Sequence, residues 1–546
     1  MRTNSDSVAI RLDRRRLLTG TAALGAATAL TTTQPARTTR AQDSTLTIAV
    51  IWTPIDFDPH SSYDPGSGFV LSGVYESLIR QRRGDGIVLE PALAESWDRN
   101  DDASSWTFHL RPHVTFQDGS PLTAAAARDS FVRQMRLNLA PAGVLGRFIT
   151  SEDQIVAVDT LTLRFDLGRP QSRFDIAMAA PFGASIMNAA AAMAHEVDGD
   201  LGHAWCESNT AGLGTGPYSL TSFDRQSSMV LDHFAGYWGG WNDDQFDTVV
   251  VRVVREAETR RQLIERGDVD LVESIGLDSV DDLESNPRLV VDRQTDMTVR
   301  YLAITQTEPF LQPAARQALC WAFPYEDVLN GIFLGYGELA QGPVSPNVHG
   351  FAAPAPPFTT DLDKARALLD QAGIPQGTKI ETIGFEGGAI AQVIAELYQE
   401  YLSQIGIQLD IEIMDYPSYI DLMHGDMPAD ERPLLFPSFW SPDYDDAWSQ
   451  LWPLVSCDAW ATTNAGHYCN DQVTELLERA NNAPDETSYL QALAEIQQIV
   501  TYDDPAGIYF ALPQWITVLR ADIGGFELHP VISSYLDYYA MYRKTG

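Results

Sequence analysis

Lysine is nearly absent from this sequence. Lys364, Lys379 and Lys544 are the three in 546 residues, and arginine supplies the rest of the 37 basic side chains. Against them stand 74 acidic residues, for a net charge of -37. Such a chain is repelled by phosphates, so nucleic acid is excluded as a partner. Few lysines with many Asp and Glu fit either a saline habitat or a GC-rich genome. The same charge can be read as solubility or, more sharply, as a preference for cationic ligands.

Cysteine is also scarce: four in all and none before Cys206, so no lipid-attachment cysteine lies near the N-terminus. The apolar run from Leu17 to Leu30 is too short, and too rich in Gly, Ala and Thr, to serve as a membrane anchor. Catalytic signatures are missing as well. There is no G-x-S-x-G elbow, no Walker loop, no G-x-G-x-x-G after a strand and no H-E-x-x-H. His203 and Cys206, three apart, are too few for a metal site, so neither metal nor cofactor is expected. Carboxylate pairs are so common in this chain that none singles out an acid–base site. The expectation is a protein that is not an enzyme; a secreted hydrolase using acidic pairs is the weaker alternative.

What is present begins with an export signal. Arg14, Arg15 and Arg16 precede the apolar run, and Thr39-Arg40-Ala41 offers a cleavage site. The order Asp13-Arg14-Arg15-Arg16-Leu17-Leu18 resembles a twin-arginine signal. Residues 1–41 are therefore expected to be removed, leaving a soluble, unanchored periplasmic chain. Cysteines in an exported protein invite disulfides. Cys457 and Cys469 lie twelve apart in a loop-like segment, and closing that loop would contribute about 3 kcal/mol on the chain-entropy model. The pairing of Cys206 and Cys320 is open.

At this length two or three cores are expected. Ser44 to Ile51 alternates as a strand, and Val74 to Arg80 reads as the end of a short helix. Thr123 caps a helix from Ala124, and Asp361 caps another that Gly373 and Pro375 end. Further on, helix and strand alternate: a helix to Ile405, a strand from Ile407 to Ile413, a helix from Tyr416 to Leu422 and a short strand from Leu434 to Ser438. That is an α/β pattern, and open α/β sheets bind ligands beyond the carboxyl ends of their strands.

There the sequence places "SFWSPDYDDAWSQLW", with Phe439, Trp440, Tyr444, Trp448 and Trp452 among Asp443, Asp445 and Asp446. Aromatic faces bury ligand area at little entropic cost, and a carboxylate in a closed cleft fixes an ammonium group. Trp448 and Trp452, four apart, equally suit the buried stripe of a helix capped by Asp445 or Asp446. Trp440, Asp443 and Tyr444 precede that helix and fit a binding loop.

"PALAESWDRNDDASSWTFHLRPHVTFQDGSPLTA" (Pro91 to Ala124) resembles the signature of the extracytoplasmic solute-binding proteins of ABC importers, the dipeptide, oligopeptide and nickel-binding family 5, with His113 where glycine is usual. "VYESL", "GTGPYSL", "DHFAGYWGG", "RRQLIERGDVDLV", "ARQALCWAF" and "DLDKARALLDQAGIP" agree in order, so the likeness covers essentially the mature chain. The resemblance implies a two-lobed periplasmic binding protein fold of the large class, with the ligand in the interlobe cleft. Lobe I would comprise 42–303 with 521–546, including an accessory subdomain near 87–211, and lobe II 304–520. It also implies a receptor that hands a peptide or peptide-like solute to a membrane permease, acting as a monomer. A nickel chelate, opine or oligosaccharide are alternative ligands on the same fold.

By the same resemblance, "WSPDY" assigns the pairing of the ligand's amino group to Asp443 and ring contacts to Trp440, Tyr444 and the adjoining Phe439. "VYESL" brings Tyr75, Glu76 and Ser77 to the ligand, and "SCDAWATTNAGHYC" looks like the dipeptide-binding branch, in which the matching cysteines are bridged. One departure stands out: where dipeptide binders carry an arginine for the peptide carboxylate, this chain has Glu386 and no arginine nearby. Glu386 is thus either a ligand-facing acid for a second cation or a solvated loop residue.

Overall fold

The computed structural model describes residues 44–84, 87–295, 297–386, 388–425, 427–460 and 462–544; the expected export peptide lies outside them. The alternation that begins the described chain forms the strand Thr45–Val50, with Leu46, Ile48 and Val50 fully buried. It runs parallel to Thr248–Val253 in register Thr45 to Thr248. Beside it lie Leu271–Glu273 and then Gly507–Arg520.

This last strand, fourteen residues long, serves both halves of the molecule. Its second half pairs with Leu271–Glu273 and Leu289–Thr295, whereas its first half pairs with Val299–Ile304. Beyond Val299–Ile304 the sheet continues through Leu435–Trp440, Thr378–Phe385 and Ile407–Met414. The chain therefore passes between the halves twice, near 295–299 and near 511–514. The two crossings join the halves within one continuous sheet.

Each half has its own apolar interior. One gathers Leu46, Val70, Tyr218 and Val249; the other divides into a cluster around Tyr301, Phe436 and Leu451 and a cluster around Leu319, Tyr398 and Ile508. A separate four-stranded sheet, Ala94–Arg99, Ser105–Leu110, Thr162–Asp166 and Ile155–Ala157, packs with the helix Ala124–Leu137 around Phe108, Phe131, Phe165 and Phe174. Local signals account for most helix ends. The Thr123 side chain accepts from the Ala126 amide 3.1 Å away, and the Asp361 carboxylate from the Lys364 amide at 2.9 Å. Gly373 closes the latter helix at a φ of 71°, where a Cβ would be strained.

One reading is settled differently. Val74 to Arg80 is not the tail of a helix: the helix Pro65–Val74 stops at its last apolar residue, and Glu76–Ser77 and Ile79–Arg82 are strands. Their partners, Ser185–Ile186 and Val88–Pro91, override the local pattern. The expected bond between Cys457 and Cys469 is present, and the open pairing of Cys206 and Cys320 closes with both as buried free thiols.

Candidate functional site

The strand Leu435–Trp440 delivers the aromatic–acidic segment to the seam between the halves. Asp443 follows three residues later, and Asp446 caps the helix Ala447–Val455 by accepting from the Trp448 amide at 2.8 Å. Asp443 is half-buried, and its carboxylate accepts a hydrogen bond from the hydroxyl of Tyr63, which comes from the opposite half. Burial pushes the Asp443 carboxyl up to about 6, with the Tyr63 bond partly offsetting the rise. A carboxylate under that burial is the group a nearby cation would stabilise most.

Tyr63 was not singled out by the sequence, and its placement rests on a buried network. The loop from Asp56 to Asp64 is anchored by Asp58, whose two oxygens accept from Arg133 Nη1 and Nη2 at 2.9 and 2.6 Å, both side chains fully buried. Arg133 Nη1 also reaches His60 Nδ1 at 3.0 Å, and His203 Nδ1 lies 3.2 Å from Asp58. Burial would raise the Asp58 carboxyl; the bonds from His203 and Arg133 outweigh it and hold the group far below the usual range. Burial depresses His60 to about 3, leaving it neutral at ordinary pH. His203 and Cys206, considered above as metal ligands, are thus parts of this support: the Cys206 thiol lies 4.0 Å from Arg133 Nη2. At the loop's end Asp64 caps the next helix, so Tyr63 is fixed from both sides. Its ring packs on Phe182, centroids 5.3 Å apart.

The residues around Asp443 divide their tasks. Trp440 is partly buried against the Tyr301–Leu451 core, its Nε1 donating to the Ser449 carbonyl at 3.4 Å. Phe439, on the other face of the strand, is 52% exposed, with the Arg300 guanidinium carbon 4.6 Å from its ring centre. Tyr444 is 2% exposed: it enters the core of the accessory sheet beside Phe148 and accepts from Arg147 Nη1 at 3.3 Å. Its ring is spent on packing between the halves, which leaves no face for a ligand in this conformation. Trp448 and Trp452 are stacked helix neighbours, 5.8 Å apart.

Asp445 and Asp446 also reach across. Gln81 Nε2 donates to Asp445 at 2.9 Å, Arg173 Nε to Asp446 at 3.3 Å, and the Arg147 guanidinium lies 3.9 Å over Trp448. Three consecutive residues after Asp443 thus hold the halves together. Burial favours the neutral form of Asp446, but the His349 ring and then Arg173 and Arg147 outweigh it and keep its carboxyl low. Arg147→Ala removes the contacts to Tyr444 and Trp448 at once. It is expected to loosen the packing between the halves, read as faster amide hydrogen exchange at Tyr444 and Trp448; unchanged exchange would remove Arg147 from this contact.

Tyr75, Glu76 and Ser77 line a different space, a chamber within the first half shared with Tyr237, His529 and Tyr535. Glu76 accepts from Tyr237 Oη at 3.0 Å and from Trp238 Nε1 at 3.1 Å, and burial lifts its carboxyl to about 7 despite these donors. Tyr75 is 2% exposed and donates to the Phe57 carbonyl at 3.3 Å; Ser77 donates to the Ile79 carbonyl. Phe182 stands between Tyr63 and Tyr535, so the chamber adjoins the Asp443 site across an aromatic partition. Glu386 is exposed at the end of Thr378–Phe385, its amide bonded to the Met414 carbonyl at 2.9 Å. Among the described residues no helix is long and apolar enough to cross a membrane.

Residues 88–462 match the family described as bacterial extracellular solute-binding proteins, family 5. The probable D,D-dipeptide-binding periplasmic protein DdpA of Escherichia coli K12 is 28% identical over 88% of this chain and 90% of its own length. The glutathione-binding protein GsiB of the same organism is 27% identical over 94% and 96%. Among solved structures, the ABC transporter-associated periplasmic binding protein DppA of Helicobacter pylori, in complex with the peptide STSA, superposes with a TM-score of 0.79 at 25% identity, covering 92% of this chain and 98% of that one. Staphylococcus aureus NikA in complex with Ni(L-His)2 shares the fold, with a TM-score of 0.73 at 19% identity over 92% and 100%.

Proposed function

Because this chain belongs to family 5 of the bacterial extracellular solute-binding proteins, we propose that it captures a peptide or peptide-like solute by its free amino group and delivers it to the permease of an ABC importer. It is a binding protein and not an enzyme. The observation that carries the reading is Asp443: a half-buried carboxylate raised to about 6, held at the seam opposite Tyr63. An ammonium group there supplies the charge that burial makes costly to leave unpaired, and the exposed ring of Phe439 offers apolar area alongside.

In this reading lobe I is 42–303 with 521–546, with 87–211 as its accessory part, and lobe II is 304–520, each limit to within about ten residues; the pairing of Gly507–Arg520 with strands of both halves supports a hinge there. Export by residues 1–41, a soluble unanchored mature chain and a monomeric state complete it. Trp440 and Phe439 are the nearest ring contacts, while Glu76 with Tyr75 and Ser77 acts from the adjoining chamber, on long solutes or on the partition.

A thermal-shift series tests the proposal. A free-amine peptide at a hundred times its dissociation constant is expected to add about 2.7 kcal/mol of stability, and the N-acetylated form of the same peptide much less. Mass spectrometry of solute released from the purified protein then identifies the natural ligand. Equal shifts for free and acetylated peptides would exclude amine recognition.

A further inference from the structure

The chamber beside the cleft holds a second acid that the peptide's amino group does not use. Arg80 and Arg82 line its wall, and both are paired: Arg82 Nη2 lies 2.7 Å from Asp537 and Arg80 Nη2 3.3 Å from Glu90. Burial pushes the His529 ring down to about 3, so it is neutral, and its Nδ1 accepts from the Val531 amide at 3.2 Å. Glu76 has no such counter-charge. Its donors, Tyr237 Oη and Trp238 Nε1, are neutral, and among the described residues no cation stands within ion-pair distance of it. A cation entering the chamber relieves the burial that lifts this carboxyl to about 7.

The chamber meets the binding seam at two places. Gln81, in its wall, crosses to Asp445 of the other half at 2.9 Å. Ala179, Ala180 and Pro181 line it with small side chains, and the next residue, Phe182, packs on Tyr63 on one side and on Tyr535 on the other. Tyr63 in turn donates to Asp443. The chamber wall is thus two ring contacts away from the tyrosine that meets the peptide's amino group. Tyr237, Tyr535 and Tyr539 add ring surface to the lining. Rings around an acid suit an ammonium or guanidinium, because ring and carboxylate attract the same charge. An apolar side chain would gain from the walls but leave the acid unpaired.

We propose that the chamber is a subsite for a basic side chain: the solute is a peptide whose first residue carries a cation, its amino group at Asp443 and its side-chain charge at Glu76. Lysine's flexible four-carbon stem passes Phe182, and the main chain stays in the cleft. The inference rests on the peptide reading above and deepens it by naming the side chain.

Calorimetry with Lys-Ala-Ala and norleucine-Ala-Ala, which share the four-carbon stem and differ in the ammonium group, tests it on wild type, Glu76→Gln and Ser72→Leu. Wild type is expected to prefer the lysine peptide at least about tenfold. Glu76→Gln keeps the shape and an acceptor for Tyr237 but not the charge, and is expected to bind the two alike. Ser72→Leu adds bulk to the chamber lining with Glu76 in place. It too is expected to bind them alike, and it decides the matter should Glu76→Gln fail to fold. Equal affinity of wild type for the two peptides overturns the subsite, as does a lysine preference that survives in either variant; the peptide reading stands in both cases. Failure of every free-amine peptide to bind overturns the peptide reading itself and this inference with it.

Discussion

Asp443→Asn is expected to weaken a free-amine peptide by about 2–5 kcal/mol, on the order of thirty- to several-thousand-fold, and to leave an N-acetylated peptide nearly unaffected. The loss is large because the amide keeps the shape and the bond to Tyr63 but removes the charge that an ammonium pairs with in a desolvated cleft. The pH profile gives a second signature. Asp443 protonates near 6 in the unliganded site, and an ammonium binds only the ionised form. Affinity should be level above about pH 7 and fall roughly tenfold per unit below 6; in Asp443→Asn this dependence disappears. Stability runs the opposite way. With its pKa raised from an ordinary 3.8, the folded protein holds more protons than the unfolded chain between 3.8 and about 6, so this carboxyl's contribution declines as pH rises through that window. Melting curves of the unliganded variant should therefore lie above wild type at pH 8 and converge with it near pH 3. A site that costs stability is expected where a charge waits for its partner.

The second large effect concerns the support beneath Tyr63. Arg133→Met leaves Asp58 ionised, fully buried and without its bidentate partner, and is expected to cost about 3–5 kcal/mol in denaturant unfolding. Replacing both members, Asp58→Leu with Arg133→Met, should recover much of that loss, since the unpaired charge goes with its partner. The double variant separates stability from function: it folds, yet the Asp56–Asp64 loop has lost its anchor, so peptide affinity should stay low. A loss under about 1 kcal/mol in Arg133→Met, or full affinity in the double variant, would mean that the pair does not position the loop.

Much of this was legible in the sequence where the physics is local. Asp361 and Gly373 bracket their helix because a carboxylate cap and a left-handed glycine act within one turn. The Ile407–Met414 strand follows from strict alternation. The place of Asp443, three residues after a strand end, was legible through its neighbours. What escaped was long-range. Tyr63 comes from the opposite half, and nothing in "DPHSSYDPG" beyond its turn residues marks the tyrosine. Tyr444 reads like a ligand ring until Phe148 and Arg147, some 300 positions earlier, enclose it. Glu76 and Ser77 form a strand only because Ser185–Ile186 lies beside them.

The most direct measurement is a crystal structure of the protein with a bound tripeptide. It is expected to place the peptide's terminal nitrogen within about 2.7–2.9 Å of an Asp443 carboxylate oxygen, between Tyr63 and Phe439, with the two halves latched through Tyr444, Asp445 and Asp446. A peptide seated in the Glu76 chamber, or one whose amino group lies away from Asp443, would contradict the account.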